Sequence, residues 1–304
     1  MFERIKLDFV IIGGQKCGST YIQSIINNHP QVEMPLGEVP LLENPDYFDE
    51  GLKKLEQLLG NLDTGKTIGI KRSNYLWKPK VEERMVSINS NMKAIVILRN
   101  PIERFKSAYF HLMKDSFIPV QKLNKGTNKI LKGNWSKKYP RSVELLDFGL
   151  YTEHIIRYKS KLNQKLLVLL YDDLKRDSDS VIKKCFSFLE IDDTYEPPKT
   201  ISDKRPQKVN YSVIRNWLLS KKNKYKYTYN ESKTRLFAKK QTARDKLICK
   251  RINQIDYYIF SKIFTKHQKP EFNDNIKREL QSYYLNDIKT LEEILEINLS
   301  GWKA

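Results

Sequence analysis

Four short apolar runs, most of them followed by helical patterns, place the strongest constraint on the fold. The runs are Leu7–Gly13, Thr67–Lys71, Lys93–Arg99 and Lys165–Tyr171. Each is rich in Val, Ile and Leu without polar alternation, which is typical of parallel strands covered on both faces. Helical patterns follow the first, third and fourth runs, at Thr20–Asn28, Pro101–Lys114 and Asp179–Leu189. This alternation predicts an α/β fold with a P-loop-like, doubly wound parallel sheet flanked by helices.

The remaining sequence adds three regions to one large domain, which we expect to span residues 1–304. Ser116–Tyr139 is polar with two glycines and is predicted as a loop or lid. Residues 197–250 contain prolines and a Lys/Tyr-rich run, and are predicted as an irregular, basic insertion or lid. A C-terminal helix is predicted after Asp274, a possible N-cap. Its apolar positions recur at steps of three or four residues: Ile276, Leu280, Tyr284, Ile288, Leu291 and Leu295.

Composition and cysteine usage predict a cytoplasmic setting. No run approaches the 18 apolar residues of a membrane span, and the N-terminal residues lack the pattern of a signal peptide. The cysteines Cys17, Cys185 and Cys249 are odd in number and far apart. They therefore predict neither a disulfide framework nor a metal site.

Positive charge is concentrated in one segment of the chain. The formal net charge is +19, and residues 199–251 contain 17 Lys or Arg against three acids, which supplies +14 of that total. Such a balance favours anionic partners, among them nucleotides, acidic glycans, nucleic acids and anionic lipids. A lysine-rich face that only keeps the protein in solution is the alternative.

A glycine-rich turn follows the first predicted strand. Gly13 and Gly18 are five residues apart and are followed by Ser19 and Thr20, so the spacing resembles the phosphate loop G-x-x-x-x-G-K-[ST]. Backbone N–H groups of such a loop, with the dipole of the following helix, bind an anion. Here the lysine is Lys16, inside the loop, which favours a shorter anionic group such as a phosphosulfate. A tight turn whose glycines serve geometry alone is the alternative.

A second anion site is predicted where the third strand ends in Arg99. Asn100 is a good N-cap for the following helix, and Ser107 lies two turns along it. A kinase would be expected to carry an acid that helps hold Mg²⁺ at such a strand end. An arginine instead suits direct binding of a terminal phosphate without a metal. A structural salt bridge for Arg99 and a solvated position for Ser107 are the alternatives.

Together the two motifs resemble the sulfotransferases that use 3′-phosphoadenylyl sulfate (PAPS), especially the branch of heparan-sulfate N- and 3-O-sulfotransferases and their bacterial relatives. Gly13–Thr20 is similar to the family's 5′-phosphosulfate loop, and Ile97–Ser107 to its 3′-phosphate motif, with Asn100 where Asp is usual. The resemblance implies that Arg99 and Ser107 bind the 3′-phosphate. It also implies that the 5′-phosphosulfate is bound by the loop residues Lys16, Cys17, Gly18, Ser19 and Thr20.

Weaker similarity extends over most of the chain. The segment around Glu38 resembles the one that carries the family's catalytic glutamate, and Lys71–Tyr75 is similar to its Lys-Ser-x-Asn-Tyr stretch. Gly37 stands where the family tends to have lysine. The family's late Lys-Gly loop over the nucleotide is absent, and Lys204 with Arg205 is the nearest substitute.

The predicted chemistry is an in-line transfer of the sulfuryl group from PAPS to an acceptor, with release of PAP. Glu38 is the candidate general base, Lys16 would stabilise the leaving phosphate, and Lys71 would bind the sulfuryl oxygens. The acceptor is expected to be a hydroxyl or amine of a carbohydrate or small-molecule natural product, and no metal is expected.

Two other functions stay open at this point. A P-loop nucleotide kinase would need Mg²⁺ and a lysine directly after Gly18, where this chain has Ser19. A non-enzymatic polyanion-binding protein would use residues 199–251, although no nucleic-acid motif is evident and nucleic acid is not an expected partner. The oligomeric state is not predicted.

Overall fold

The computed structural model describes residues 5–48, 50–198, 209–263 and 269–303. The chain divides into two compact units. The first comprises Met1–Asn100 and Tyr151–Gln207, and the second comprises Pro101–Leu150 and Lys208–Ala304.

The helices are numbered in chain order across both units. They are α1 (Ser19–Ile26), α2 (Gly51–Leu59), α3 (Val81–Ile88), α4 (Pro101–Lys114), α5 (Leu123–Leu131), α6 (Glu144–Asp147), α7 (Thr152–Leu162), α8 (Tyr171–Arg176), α9 (Ser178–Leu189), α10 (Val213–Lys226), α11 (Ala243–Ile255), α12 (Ser261–Ile263), α13 (Asp274–Leu295) and α14 (Ser300–Lys303). A π-helical turn, Asp256–Phe260, connects α11 to α12.

The first unit is built on a five-stranded parallel sheet. Its strands are β1 (Phe9–Gly13), β2 (Val32–Glu33), β3 (Thr67–Lys71), β4 (Lys93–Leu98) and β5 (Leu166–Leu170), in the order β2-β3-β1-β4-β5. The predicted α/β fold with a parallel sheet is therefore confirmed. The four predicted strands are all present, with ends within two residues of those expected. The additional strand β2 has only two residues, too few to show a pattern in the sequence.

Helices cover the central strands, which explains why those strands read as continuous apolar runs. All five residues of β1 are buried. Ile11 and Ile97 from the sheet share one apolar cluster with Ile22 of α1 and Phe186 of α9. Because α1 begins directly after the turn that follows β1, its N-terminus lies at the carboxyl edge of the sheet, where ligands of such folds bind.

The second unit contains a helix where a loop was expected. Helix α4 has its predicted bounds, but α5 lies inside Ser116–Tyr139, so the prediction of a loop or lid there is wrong for those nine residues. Gly126, one of the two glycines of that segment, lies within α5, and a Cβ at this position would be only 2.0 Å from the hydroxyl oxygen of Tyr109. The glycine therefore permits close packing of α5 rather than a turn.

Most of the basic segment is also more regular than predicted. From Val213 onward it forms α10, a hairpin of β6 (Tyr227–Tyr229) and β7 (Leu236–Ala238), and α11, so the irregular reading of 197–250 is wrong for those residues. The buried positions of α10 are Asn216 and Asn223. Polar residues at buried positions hide the helix from a search for apolar periodicity.

The C-terminal helix α13 is confirmed, and its buried residues are those predicted, except that Leu295 is only partly buried. The N-cap is Asn273, one residue before Asp274, because the Asn273 side chain accepts a hydrogen bond from the Ile276 N–H at 3.0 Å. Among the described residues, no helix is both long enough and apolar enough to cross a membrane.

Candidate active site

The loop between β1 and α1 has a backbone that glycine makes possible. The Gly14 N–H donates to the Ile97 carbonyl of β4 at 2.8 Å, which ties the loop to the neighbouring strand. Gly18 has φ +105°, and a Cβ there would meet the Tyr171 ring at 3.2 Å. No side chain caps α1 at Gly18. The first N–H groups of α1 lack helical acceptors, which is the arrangement that binds anions at a helix N-terminus.

Cys17 contributes to the loop from its inner side. Its side chain is fully buried, its N–H donates to the Gly14 carbonyl at 3.1 Å, and its thiol donates to the Gln15 carbonyl at 3.5 Å. The thiol therefore holds the turn in shape. Its predicted contact with the nucleotide stays a prediction.

Arg99 lies beside this loop. Its Nη1 donates to the Lys16 carbonyl at 3.2 Å, and its guanidinium lies 4.6 Å from the centroid of the Tyr171 ring. The Tyr151 hydroxyl donates to the Arg99 carbonyl at 2.8 Å. The predicted phosphate-loop lysine and the strand-end arginine are thus adjacent. Sequence reasoning missed both tyrosines, although Tyr171 directly follows β5 at the edge where the carboxyl ends of parallel strands meet.

A buried lysine joins the loop to the candidate base. Lys71 ends β3 with only 3% of its side chain exposed, and its Nζ donates to Thr20 Oγ1 at 3.0 Å and also to Glu38 Oε1. Three residues predicted from separate motifs therefore meet at one point. The Val39 N–H donates to the Lys71 carbonyl at 2.9 Å, which holds the segment carrying Glu38 against β3.

Ser73 is a residue of this site that sequence reasoning did not single out. Its N–H and its hydroxyl both donate to the Glu38 carboxylate, at 2.8 and 2.5 Å. Its Oγ is also 3.4 Å from Ser19 Oγ in the phosphate loop. Two signals were available: Ser73 lies within Lys71–Tyr75, the stretch that resembles the family, and it is two residues after the end of β3, at the same sheet edge as the loop.

These contacts set the ionisation of Glu38. Burial by itself raises the pKa of the carboxyl, but the Lys71 ammonium, the hydrogen bonds from Lys71 and Ser73, and the charge of Arg72 lower it by more. The net pKa lies below the ordinary value for glutamate. Glu38 is therefore a carboxylate at neutral pH, which is the form that accepts a proton.

A second ion pair anchors the segment that carries Glu38. Arg72 donates from Nη2 and Nε to the Glu43 carboxylate, at 2.5 and 3.3 Å, and its Nη1 lies 3.6 Å from Glu38 Oε2. The Tyr75 hydroxyl donates to the Val39 carbonyl and accepts from the Leu42 N–H. Both ends of the segment are thus fixed to residues that follow β3.

None of the contacts described above places the remaining predicted site residues in this cluster; these are Ser107, Lys204 and Arg205. Ser107 is buried on α4 in the second unit. Lys204 and Arg205 lie outside the described residues. In the described ranges no group of three or more His, Cys, Asp or Glu could hold a metal ion.

Comparison with known proteins identifies the family to which these motifs belong. Residues 6–289 match the family described as "Sulfotransferase domain". The chain belongs to the sulfotransferase family. This match favours the predicted sulfotransferase over the kinase and the polyanion-binding protein.

Relatives and solved structures agree with the assignment. The chain is 24% identical over 188 residues to the bifunctional heparan sulfate N-deacetylase/N-sulfotransferase 1 of Caenorhabditis elegans, covering 60% of this chain and 22% of that protein. It is 26% identical over 106 residues to human heparan sulfate glucosamine 3-O-sulfotransferase 5, covering 34% of this chain and 30% of that protein. The chain thus spans less than a third of either relative. A sulfotransferase structure from Alicyclobacillus acidocaldarius shares the fold, with a TM-score of 0.67, 18% identity, and coverage of 98% of this chain and 99% of that one.

Proposed function

We propose that this protein transfers the sulfuryl group of PAPS to a hydroxyl or amine of a carbohydrate or small-molecule natural product and releases PAP. The observation that carries the proposal is the contact of Lys71 with both Thr20 of the phosphate loop and Glu38. One buried cation there lies between an anion-binding loop and an ionised carboxylate. Family membership supplies the reaction class.

The donor would be held by groups that suit its two anionic ends. Lys16 and the N-terminus of α1 would hold the 5′-phosphosulfate, with the hydroxyls of Ser19 and Thr20. Arg99, whose guanidinium lies beside the same loop, would hold the 3′-phosphate, together with Ser107. PAPS brings the sulfuryl group and a good leaving group to this loop. The groups assigned here to the nucleotide are cations or hydrogen-bond donors, so they fit a nucleotide with an anionic group at each end.

The residues of the chain would then divide the work of transfer. Glu38, held as a carboxylate, accepts the proton of the acceptor's hydroxyl or amine. Lys71 stabilises negative charge on the sulfuryl oxygens, and Lys16 stabilises charge on the departing phosphate. Each such preorganised cation contributes about 10²–10³ in rate.

The acceptor class is drawn from the relatives, whose names specify heparan sulfate, and from the basic charge of this chain. We further propose that residues 1–304 act as one sulfotransferase domain, since the family match runs through parts of both compact units. A cytoplasmic setting is likewise a proposal, consistent with three buried, free cysteines among the described residues.

Donor binding can be tested by thermal unfolding with PAP in the presence of a chelator. PAP should raise the melting temperature of the unmodified protein, and Lys16→Ala or Arg99→Ala should remove most of that increase. Lys183→Ala, at an exposed position on α9, is the matched control and should keep the full increase. No stabilisation of the unmodified protein at millimolar PAP would refute the proposed donor.

The role of Glu38 needs a variant that separates binding from transfer. Glu38→Gln should keep the PAP-induced stabilisation but lose transfer of labelled sulfate by about 10²-fold or more, as expected when a general base is removed. Glu33→Gln is the control, because Glu33 has a similar exposed fraction, 32% against 34% for Glu38, and also pairs with a lysine. Near-normal turnover in Glu38→Gln would exclude it as the base.

A further inference from the structure

The helical stretch from Ala243 to Ile263 has almost no buried side. It consists of α11, the π-helical turn and α12, and Cys249 is the one residue of that stretch that is buried. A surface helix of a globular protein normally buries an apolar stripe of three or four residues in every two turns. Ile248, Ile252 and Phe260 are partly buried. The other large apolar side chains of the stretch are exposed: Leu247, Ile255, Tyr257, Tyr258, Ile259 and Ile263.

In the neighbouring helix α10, polar residues are buried and large apolar residues are exposed. Asn216 and Asn223 are at its buried positions, whereas Ile214 and Trp217 are 53% and 48% exposed. Arg215 of α10 pairs with Asp256 of the π-helical turn at 2.6 Å, so the two helical segments pack together through polar contacts. Ile214 and Trp217 of α10 and six large apolar side chains of Ala243–Ile263 are left exposed. Exposed apolar side chains in this number on neighbouring segments indicate an interaction site.

Charge around these side chains indicates the chemistry of the partner. Residues 209–263 contain 14 Lys or Arg and three acids. Two of the three acids have local roles, since Asp256 pairs with Arg215 and Asp245 completes the capping box of α11. The partner is therefore expected to be anionic.

A shallow groove brings together cationic groups of α11 and aromatic groups of the π-helical turn. It has a volume of about 430 Å³, and its lining includes Lys246, Lys250, Asn253, Tyr257 and Tyr258. Ammonium groups and an amide can bind a phosphate oxygen, while tyrosines suit the boundary between polar headgroups and acyl chains. Ile259 and Ile263 continue from the groove along the same helical stretch. Isoleucine side chains suit an acyl chain and offer a glycan or nucleic acid no hydrogen bond.

We propose that the Ala243–Ile263 surface, with Ile214 and Trp217 of α10, binds the surface of a membrane that contains anionic phospholipid. Basic residues around exposed apolar residues on a helix are the features of interfacial attachment. The isoleucines and aromatic rings enter the headgroup boundary, while the lysines contact lipid phosphates. Such attachment would hold the enzyme at a bilayer without a spanning helix.

Sedimentation of the full-length protein with vesicles tests this proposal. The protein should sediment with vesicles of phosphatidylcholine and phosphatidylglycerol but not with vesicles of phosphatidylcholine alone, and added salt should weaken binding. Replacing Lys246 and Lys250 together with glutamine should weaken binding, by about fivefold for each lysine. The double variant Lys183→Gln, Lys184→Gln, at exposed positions on α9, is the charge-matched control.

The apolar contribution needs its own variants. Ile259→Ser with Ile263→Ser should weaken binding by several-fold to tenfold, because half-exposed apolar surface no longer leaves water. Ile156→Ser on α7 is the control, since Ile156 is 47% exposed and Ile259 is 49% exposed. PAP-induced stabilisation should be unchanged in all of these variants, which separates this surface from the donor site.

Three results would overturn the proposal. The first is no sedimentation with vesicles that contain phosphatidylglycerol. The second is binding that depends on the lysines but not on the isoleucines, which would indicate adsorption to any polyanion. The third is a dimer of the unmodified protein that the isoleucine variants convert to a monomer, which would assign the surface to a second copy of the chain.

Discussion

The Arg72–Glu43 ion pair anchors the segment that carries the candidate base, and the stability of the protein should depend strongly on it. Only 1% of the Glu43 side chain is exposed, and its carboxylate accepts two hydrogen bonds from the guanidinium. Glu43→Gln keeps the shape but leaves the Arg72 charge without its buried partner. Removing one partner of a buried pair typically costs 3–5 kcal/mol, and because 22% of the Arg72 side chain is exposed we expect about 3 kcal/mol.

Urea unfolding at neutral pH measures this loss directly. Glu50→Gln is the control, because the Glu50–Lys53 pair is 65% and 60% exposed and its loss should change the free energy of unfolding by less than about 1 kcal/mol. Arg72→Met combined with Glu43→Gln should recover much of the loss, since no uncompensated charge then stays buried. A decrease below about 1 kcal/mol for Glu43→Gln alone would refute the reasoning.

Three further changes test neighbouring parts of the structure. In Lys71→Met, the acid limb of the pH–rate profile for sulfate transfer should move to higher pH: burial raises the pKa of Glu38, and the cation that lowered it is gone. If the acid limb does not move, the ionisation of Glu38 does not determine the pH dependence of transfer. Gly18→Ala should lower the free energy of unfolding by about 1 kcal/mol or more, because φ is +105°, and should weaken PAP binding measured by calorimetry. Gly126→Ala should cost about 1–3 kcal/mol in urea unfolding, because its Cβ would be 2.0 Å from a tyrosine hydroxyl, whereas Gly301→Ala should be neutral, with nothing within 4 Å of its Cβ.

The sheet could be predicted from sequence because its strands are buried on both faces. Strands such as β4 then consist almost wholly of apolar residues. Because helices lie between most of the strands along the chain, the sheet is expected to be parallel. Where burial is achieved by polar residues, the same reasoning fails. Asn216 and Asn223 occupy the buried side of α10, and Thr127 shares the buried side of α5 with two aliphatic residues. Asn223 donates to the Lys114 carbonyl at 2.6 Å, a partner more than 100 residues earlier in the chain that no local pattern contains.

The candidate site was predictable to the extent that its residues lie at strand ends. Lys71 ends β3, Arg99 and the loop before α1 each follow a strand, and the ends of parallel strands share one edge of the sheet. Glu38 carries no such signal, since it lies on an irregular segment, and only the family resemblance pointed to it. Ser73 and Tyr171 lie at the same edge, but serine and tyrosine occur there too commonly for position alone to distinguish them.

The lowered pKa of Glu38 bears on how a base can work beside a lysine. A carboxylate paired with an ammonium is a weaker base than a free one, so the contact with Lys71 by itself disfavours proton transfer. In the proposed reaction, however, negative charge would shift among the oxygens around the sulfur and the departing phosphate, and Lys71 would stabilise it from the same position. As that shift proceeds, Lys71 would interact less strongly with Glu38, and the carboxylate would become more basic when the acceptor loses its proton. Lys71 would therefore couple the two events, and its replacement should lower the transfer rate by more than it changes PAP affinity.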